Sequence, residues 1–78
     1  MEKRVKFVWK FYGLEAQGTA EHHVIHLKEY CQKNNIGGFE SDSEDLDAGG
    51  VQAFLTMDEK DAITAHSFLK PHAAFVVI

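Results

Sequence analysis

The sequence predicts an α+β domain in which two helices cover one face of a four-stranded antiparallel sheet. Three observations carry this expectation. Residues 5–11 and 51–57 alternate apolar and polar with a period of two, the signature of a half-buried strand. Two windows, one from about Thr19 and one from about Asp58, repeat their apolar residues with a helical period instead. Finally, the elements follow one another as β-α-β-β-α-β, which right-handed crossovers close into a sheet with spatial order 4-1-3-2.

The elements can be justified in turn. In the first strand Val5, Phe7, Trp9 and Phe11 point to one side and Arg4, Lys6, Val8 and Lys10 to the other, so the aromatic side is expected to face the core. Gly13 to Gly18 break the alternation, and Thr19 is the expected N-cap of a helix running to about Asn34. Ala20, Val24, Leu27 and Cys31 form one narrow stripe on it, with His23 and Tyr30 on its flank. Asn34, Asn35, Gly37 and Gly38 end that helix. A weak strand is expected around Phe39, followed by an acidic stretch, Glu40 to Asp47, read as a solvated loop. Beyond Gly49 and Gly50, Val51, Ala53, Leu55 and Met57 line one side of a third strand and Gln52, Phe54 and Thr56 the other. Asp58 then caps a second helix carrying Ala62, Ala65, His66 and Leu69 inward, which must stop near Lys70 because Pro71 disfavours helical geometry in the residue before it. The last strand, His72 to Ile78, is apolar at nearly every position.

This order resembles the ferredoxin-like fold along the whole chain, Met1 to Ile78, read as one domain. The resemblance implies a fold and no particular activity, because many unrelated functions share it. Its small dimeric α/β barrel members include isomerases and monooxygenases that act without a bound cofactor in a pocket between sheet and helices, so the resemblance keeps an enzyme in view.

Composition narrows the function classes. The chain has 78 residues, room for one core, and a core of this size is marginal without a metal, disulfides or a partner subunit. Cys31 is the single cysteine, which excludes a disulfide within the monomer and fits a reducing, cytoplasmic location. Twelve acidic residues against eight basic ones argue against nucleic-acid binding by bulk charge. RNA-recognition domains of this topology stack bases on aromatic residues of the two central strands, yet here Lys6 stands where a stacking ring is needed. No membrane partner is expected, since Lys6 and Lys10 interrupt the N-terminal apolar run. The acidic stretch lacks calcium-loop spacing, with Leu46 and Gly49 where ligands should fall.

The five histidines, His22, His23, His26, His66 and His72, are the informative residues. The expected topology sends all five to one pole of the molecule. There Trp9, Phe11 and Tyr12 are expected to wall a ligand pocket with His23, His66 and His72, and these three imidazoles are the candidates for general acid or base work. His22 and His26, four residues apart on the outward helix face, are with His72 the candidate ligands for a transition metal, zinc or nickel. Val8 and Phe54, with Phe75 and Val77 or the alternate residues of the last strand, form an apolar patch on the open sheet face that predicts a homodimer. Arg4, Lys6 and Lys10 are expected at its rim, meeting acidic side chains. The functional expectation is therefore a homodimeric domain that binds a small molecule or a metal. The alternatives are a cofactor-free enzyme with a histidine general base and an assembly module with incidental histidines.

Overall fold

The computed structural model describes residues 3–77. Strand β1 (Arg4–Tyr12) leads into helix α1 (Ala16–Lys33), then β2 (Glu40–Asp45), a short 3-10 turn (Asp47–Gly49), β3 (Gly50–Asp58), helix α2 (Glu59–Leu69) and β4 (Ala73–Val77). The four strands form one antiparallel sheet ordered β2-β3-β1-β4, the expected order read from the other edge.

Register divides the sheet residues between two faces. Val5, Phe7, Trp9 and Phe11 of β1 stand opposite Met57, Leu55, Ala53 and Val51 of β3. This face joins the α1 stripe Ala16, Ala20, Val24, Leu27 and Cys31 and the α2 pair Ala62 and Ala65 in one buried core. The two alanines let α2 sit close over β1 and β3, and it hardly touches β4.

Three boundaries differ from the sequence reading. Helix α1 begins at Ala16 instead of at a Thr19 cap, because Ala16 extends the buried stripe by one turn and the Thr19 amide already donates to Glu15 O at 2.9 Å. Its end is as expected: Asn35 turns left-handed and Ile36 N–H donates to Cys31 O at 2.9 Å, which satisfies a terminal carbonyl. The acidic stretch, expected as a loop, supplies strand β2. Pairing with β3 answers the backbone groups on its inner side, Ser41 and Ser43 turn toward the helices, and Glu40, Asp42 and Glu44 keep their carboxylates in water on the other face. Strand β4 starts one residue late, at Ala73, because the His72 side chain takes over the last position of the ladder: Lys10 N–H donates to His72 Nδ1 at 2.9 Å, while His72 N–H donates to Val8 O. The last residue assigned to that strand, Ile78, lies outside the described residues.

Opposite the helices, the open face carries ordered bands of charge. Arg4 pairs with Asp58 directly across the ladder at 3.1 Å, and Lys6 reaches Glu44 at 3.7 Å while lying over the Phe54 ring at 4.6 Å. These two cations, expected at an intermolecular rim, thus meet acids of their own sheet. Val8 is buried within the single chain, flanked by Phe54 and Ala73 across its two ladders. Among the described residues no helix is long and apolar enough to cross a membrane.

Candidate functional site

Two regions carry the residues of interest: the outer part of α1, where histidines gather, and the edge of the sheet beside α2.

His23 sits on the flank of the α1 stripe and turns in against β1. Its ring meets Trp9 edge-on, with centroids 4.7 Å apart, and Phe11 at 5.8 Å. His23 Nε2 is buried with no hydrogen-bond partner. Burial lowers the His23 pKa below the usual 6.5, and the neighbouring His26, His72 and His22 lower it further, so the ring is neutral at pH 7. His72 also approaches Phe11, with 6.2 Å between centroids. Because its Nδ1 accepts from Lys10, the neutral ring carries its proton on Nε2 and has no second lone pair to offer a metal.

One turn apart on the outward side of α1, His22 and His26 bring their Nε2 atoms to 2.9 Å. Their rings stand 77° to one another with centroids 4.5 Å apart. Glu29, a further turn along, places Oε1 3.4 Å from His26 Nδ1. Among the described residues no group of three histidine, cysteine, aspartate or glutamate side chains is placed to hold a metal ion.

His66 does not join these four, contrary to the expectation of a single pole, and it does not point inward. Ala62, Ala65 and Leu69 take the inward stripe of α2, which leaves His66 to its side, exposed and edge-on to Phe7 at 5.8 Å. Of the residues expected to wall one pocket, His23 and His72 both approach Phe11, whereas His66 stands against Phe7. Trp9 is a core residue, only 3% exposed, whose Nε1–H donates to Leu69 O at 3.2 Å. Tyr12 is exposed and packs over Gly50, where a Cβ would meet its ring at 2.6 Å.

His66 instead lines a groove of about 330 Å³ with Val5, Phe7, Glu59, Ala62, Ile63 and Ala74. The groove exists because α2 leaves the helix-side face of β4 uncovered. Phe7 lies opposite Ala74 and Val5 opposite Val76, so Ala74 and Val76 belong to the groove side and Ala73, Phe75 and Val77 to the open face, which settles the orientation of the last strand. Phe75, Val76 and Val77 remain 54%, 58% and 42% exposed, and Ile63 on α2 is 73% exposed. The apolar last strand was legible in the sequence, and the groove beside it was not. Its signals were the near-absence of alternation in residues 73–77 and an isoleucine off the helix stripe at position 63.

Comparison of this chain with protein-family models, with curated proteins and with solved structures finds no match.

Proposed function

We propose that this domain is a homodimer that pairs through β4 and binds a small apolar molecule in the trough formed where two α2–β4 grooves meet. The observation that carries the reading is the composition of β4, a sheet edge without a charge or a proline, apolar on both faces and beside an apolar groove. An uncovered edge presents a row of unpaired N–H and C=O groups, and chains that keep such an edge free in water blunt it with charge. The opposite edge is blunted in that way: β2 carries Glu40, Asp42, Glu44 and Asp45. Pairing β2 with β2 would bring like charges together, and pairing β4 with β2 would leave open ends that propagate as a filament. Antiparallel pairing of β4 with β4 closes about a two-fold axis, which makes a second copy the occupant.

Exposed apolar area supports the same edge. Phe75, Val76, Val77 and Ile63 leave on the order of 400 Å² of apolar side chain exposed on each copy, given that aromatic and large aliphatic groups bury about 150–250 Å² when fully covered. The strand backbone and groove walls add to this, toward the ~800 Å² per partner of a standard interface. In the eight-stranded sheet that results, Ala74 and Val76 of both copies floor the trough, and the two α2 helices wall it with Ile63 and His66. Two grooves of about 330 Å³ together fall within the ~300–1,000 Å³ range of small-molecule pockets, and two imidazoles are the polar groups that orient a ligand there. The arrangement fits the ferredoxin-like class, and the single buried thiol suits a reducing compartment such as the cytoplasm.

Light scattering on untagged protein at micromolar concentration tests the reading. The expected mass is twice 8.8 kDa. Val76→Lys and Ile63→Lys, both at exposed positions, should give a folded monomer by circular dichroism and lose binding of an apolar fluorophore such as anilinonaphthalene sulfonate. A monomeric wild type overturns the proposal. So does a dimer dissociated by Phe54→Asp and untouched by Val76→Lys, which moves the interface to the open face. A β4 dimer that binds no fluorophore removes the ligand from it.

A further inference from the structure

We infer that His22 and His26 form a bidentate site for a divalent transition-metal ion such as copper(II) or nickel(II). Helical spacing alone brings residues i and i+4 to one face. The structure adds three further features.

The first is the convergence of the coordinating atoms, because the two Nε2 atoms stand 2.9 Å apart. With metal–nitrogen bonds of about 2.0–2.1 Å, nitrogens at that separation subtend about 90° at the metal. Adjacent positions of a square-planar or octahedral ion have that angle, and a tetrahedral ion needs its two nitrogens only about 0.4 Å further apart, within reach of two exposed side chains.

The second feature is the Glu29 carboxylate 3.4 Å from His26 Nδ1. At that distance the carboxylate is an electrostatic neighbour that favours the proton on Nδ1, and an imidazole protonated there offers its Nε2 lone pair to a metal. In the metal-free chain the two Nε2 atoms share one hydrogen bond, one ring donating and the other accepting. On binding, the shared hydrogen moves to the donor ring's Nδ1 by exchange with solvent, and both rings coordinate as neutral imidazoles.

The third feature is access. His22, His26 and Glu29 are all exposed, and the N-terminal part of α1 beside them has a shallow depression lined by Leu14, Glu15, Gly18, Thr19 and His22. Water can therefore fill the remaining coordination positions without displacing the core. His23 takes no part, since its ring is turned inward against Trp9 and Phe11. His72 is excluded by its tautomer.

Titration of the untagged protein with copper(II), followed by electron paramagnetic resonance, tests the inference. One equivalent should bind with hyperfine structure from two nitrogens. The His22→Asn/His26→Asn double variant, altered only at exposed positions, should fold identically by circular dichroism and bind at least tenfold more weakly. Glu29→Gln should weaken binding by about tenfold through loss of the orienting carboxylate. In two-dimensional NMR, paramagnetic broadening should centre on residues 22–29. Equal affinity of wild type and double variant overturns the site. Broadening centred on His72 or His66 does so as well.

Discussion

Replacing His23 with phenylalanine should stabilise the domain, an unusual outcome for a change at a ring packed against the core. Phenylalanine keeps the flat ring that meets Trp9 and Phe11 edge-on at 4.7 and 5.8 Å. What it removes is Nε2, a buried polar atom without a partner. A buried unsatisfied polar group costs about 1–3 kcal/mol, and a phenyl ring is slightly larger than an imidazole, so a net gain of about 1 kcal/mol is expected at pH 8. For a domain of this length that is about 4–8 °C in Tm. The gain should widen in acid. Because burial lowers the His23 pKa, the unfolded chain takes up a proton as pH falls through about 6.5 while the folded chain does not. Stability contributed by the neutral ring is therefore complete above that pH and lost below it, down to the depressed folded value, and the phenylalanine variant has no such loss. Urea unfolding followed by Trp9 fluorescence, in buffer with a chelator, at pH 8 and at pH 5.5 measures both effects. A variant no more stable than wild type at pH 8 would refute the unpartnered Nε2. Equal acid losses in the two proteins would refute the assignment of the titration to His23.

Three further outcomes are expected. Cys31, its pKa pushed up to about 11 by burial and secondarily by Asp61, should react with a thiol reagent at neutral pH only as fast as the domain opens, with the rate rising in urea. Leu27→Ala, at a side chain 1% exposed in the centre of the α1 stripe, should cost about 2–5 kcal/mol, enough to leave much of a domain this small unfolded by circular dichroism. His66→Ala should change stability by less than about 1 kcal/mol, since the exposed ring gives up one edge contact with Phe7 and alanine is the better helix former; a larger loss in thermal melts would return His66 to the core.

The fold was legible wherever a short-range pattern coincided with one-sided burial. The alternation through β1 and β3 named most of the residues that the structure buries, missing the burial of Val8 on the open face, and the α1 stripe was right apart from its first turn. The metal candidates were legible in part: spacing placed His22 and His26 on one face, while the tautomer that withdraws His72 depends on Lys10, sixty-two residues away in the chain. His66 was misplaced for a related reason. A helical wheel assigns a stripe and cannot say where on the sheet the helix axis comes to rest. Ala62 and Ala65 set that position close over β1 and β3, leaving His66 beside the core instead of in it.

What the sequence by itself determined is local and periodic: which segments are strands or helices, which side of each is apolar, where Pro71 and the glycines interrupt them, and that the order β-α-β-β-α-β closes into this sheet. These follow from interactions within a few residues and from the one-sidedness of apolar burial. The tertiary structure alone decided that the acidic stretch is a strand, because the backbone groups on its inner side are answered by β3 and an edge tolerates carboxylates on its wet face. It alone decided that α2 stops short of β4 and leaves an apolar edge beside an open groove. Pairing partners and helix offsets are set by hydrogen bonds and packing between residues distant in the chain, and no period in the sequence encodes those distances.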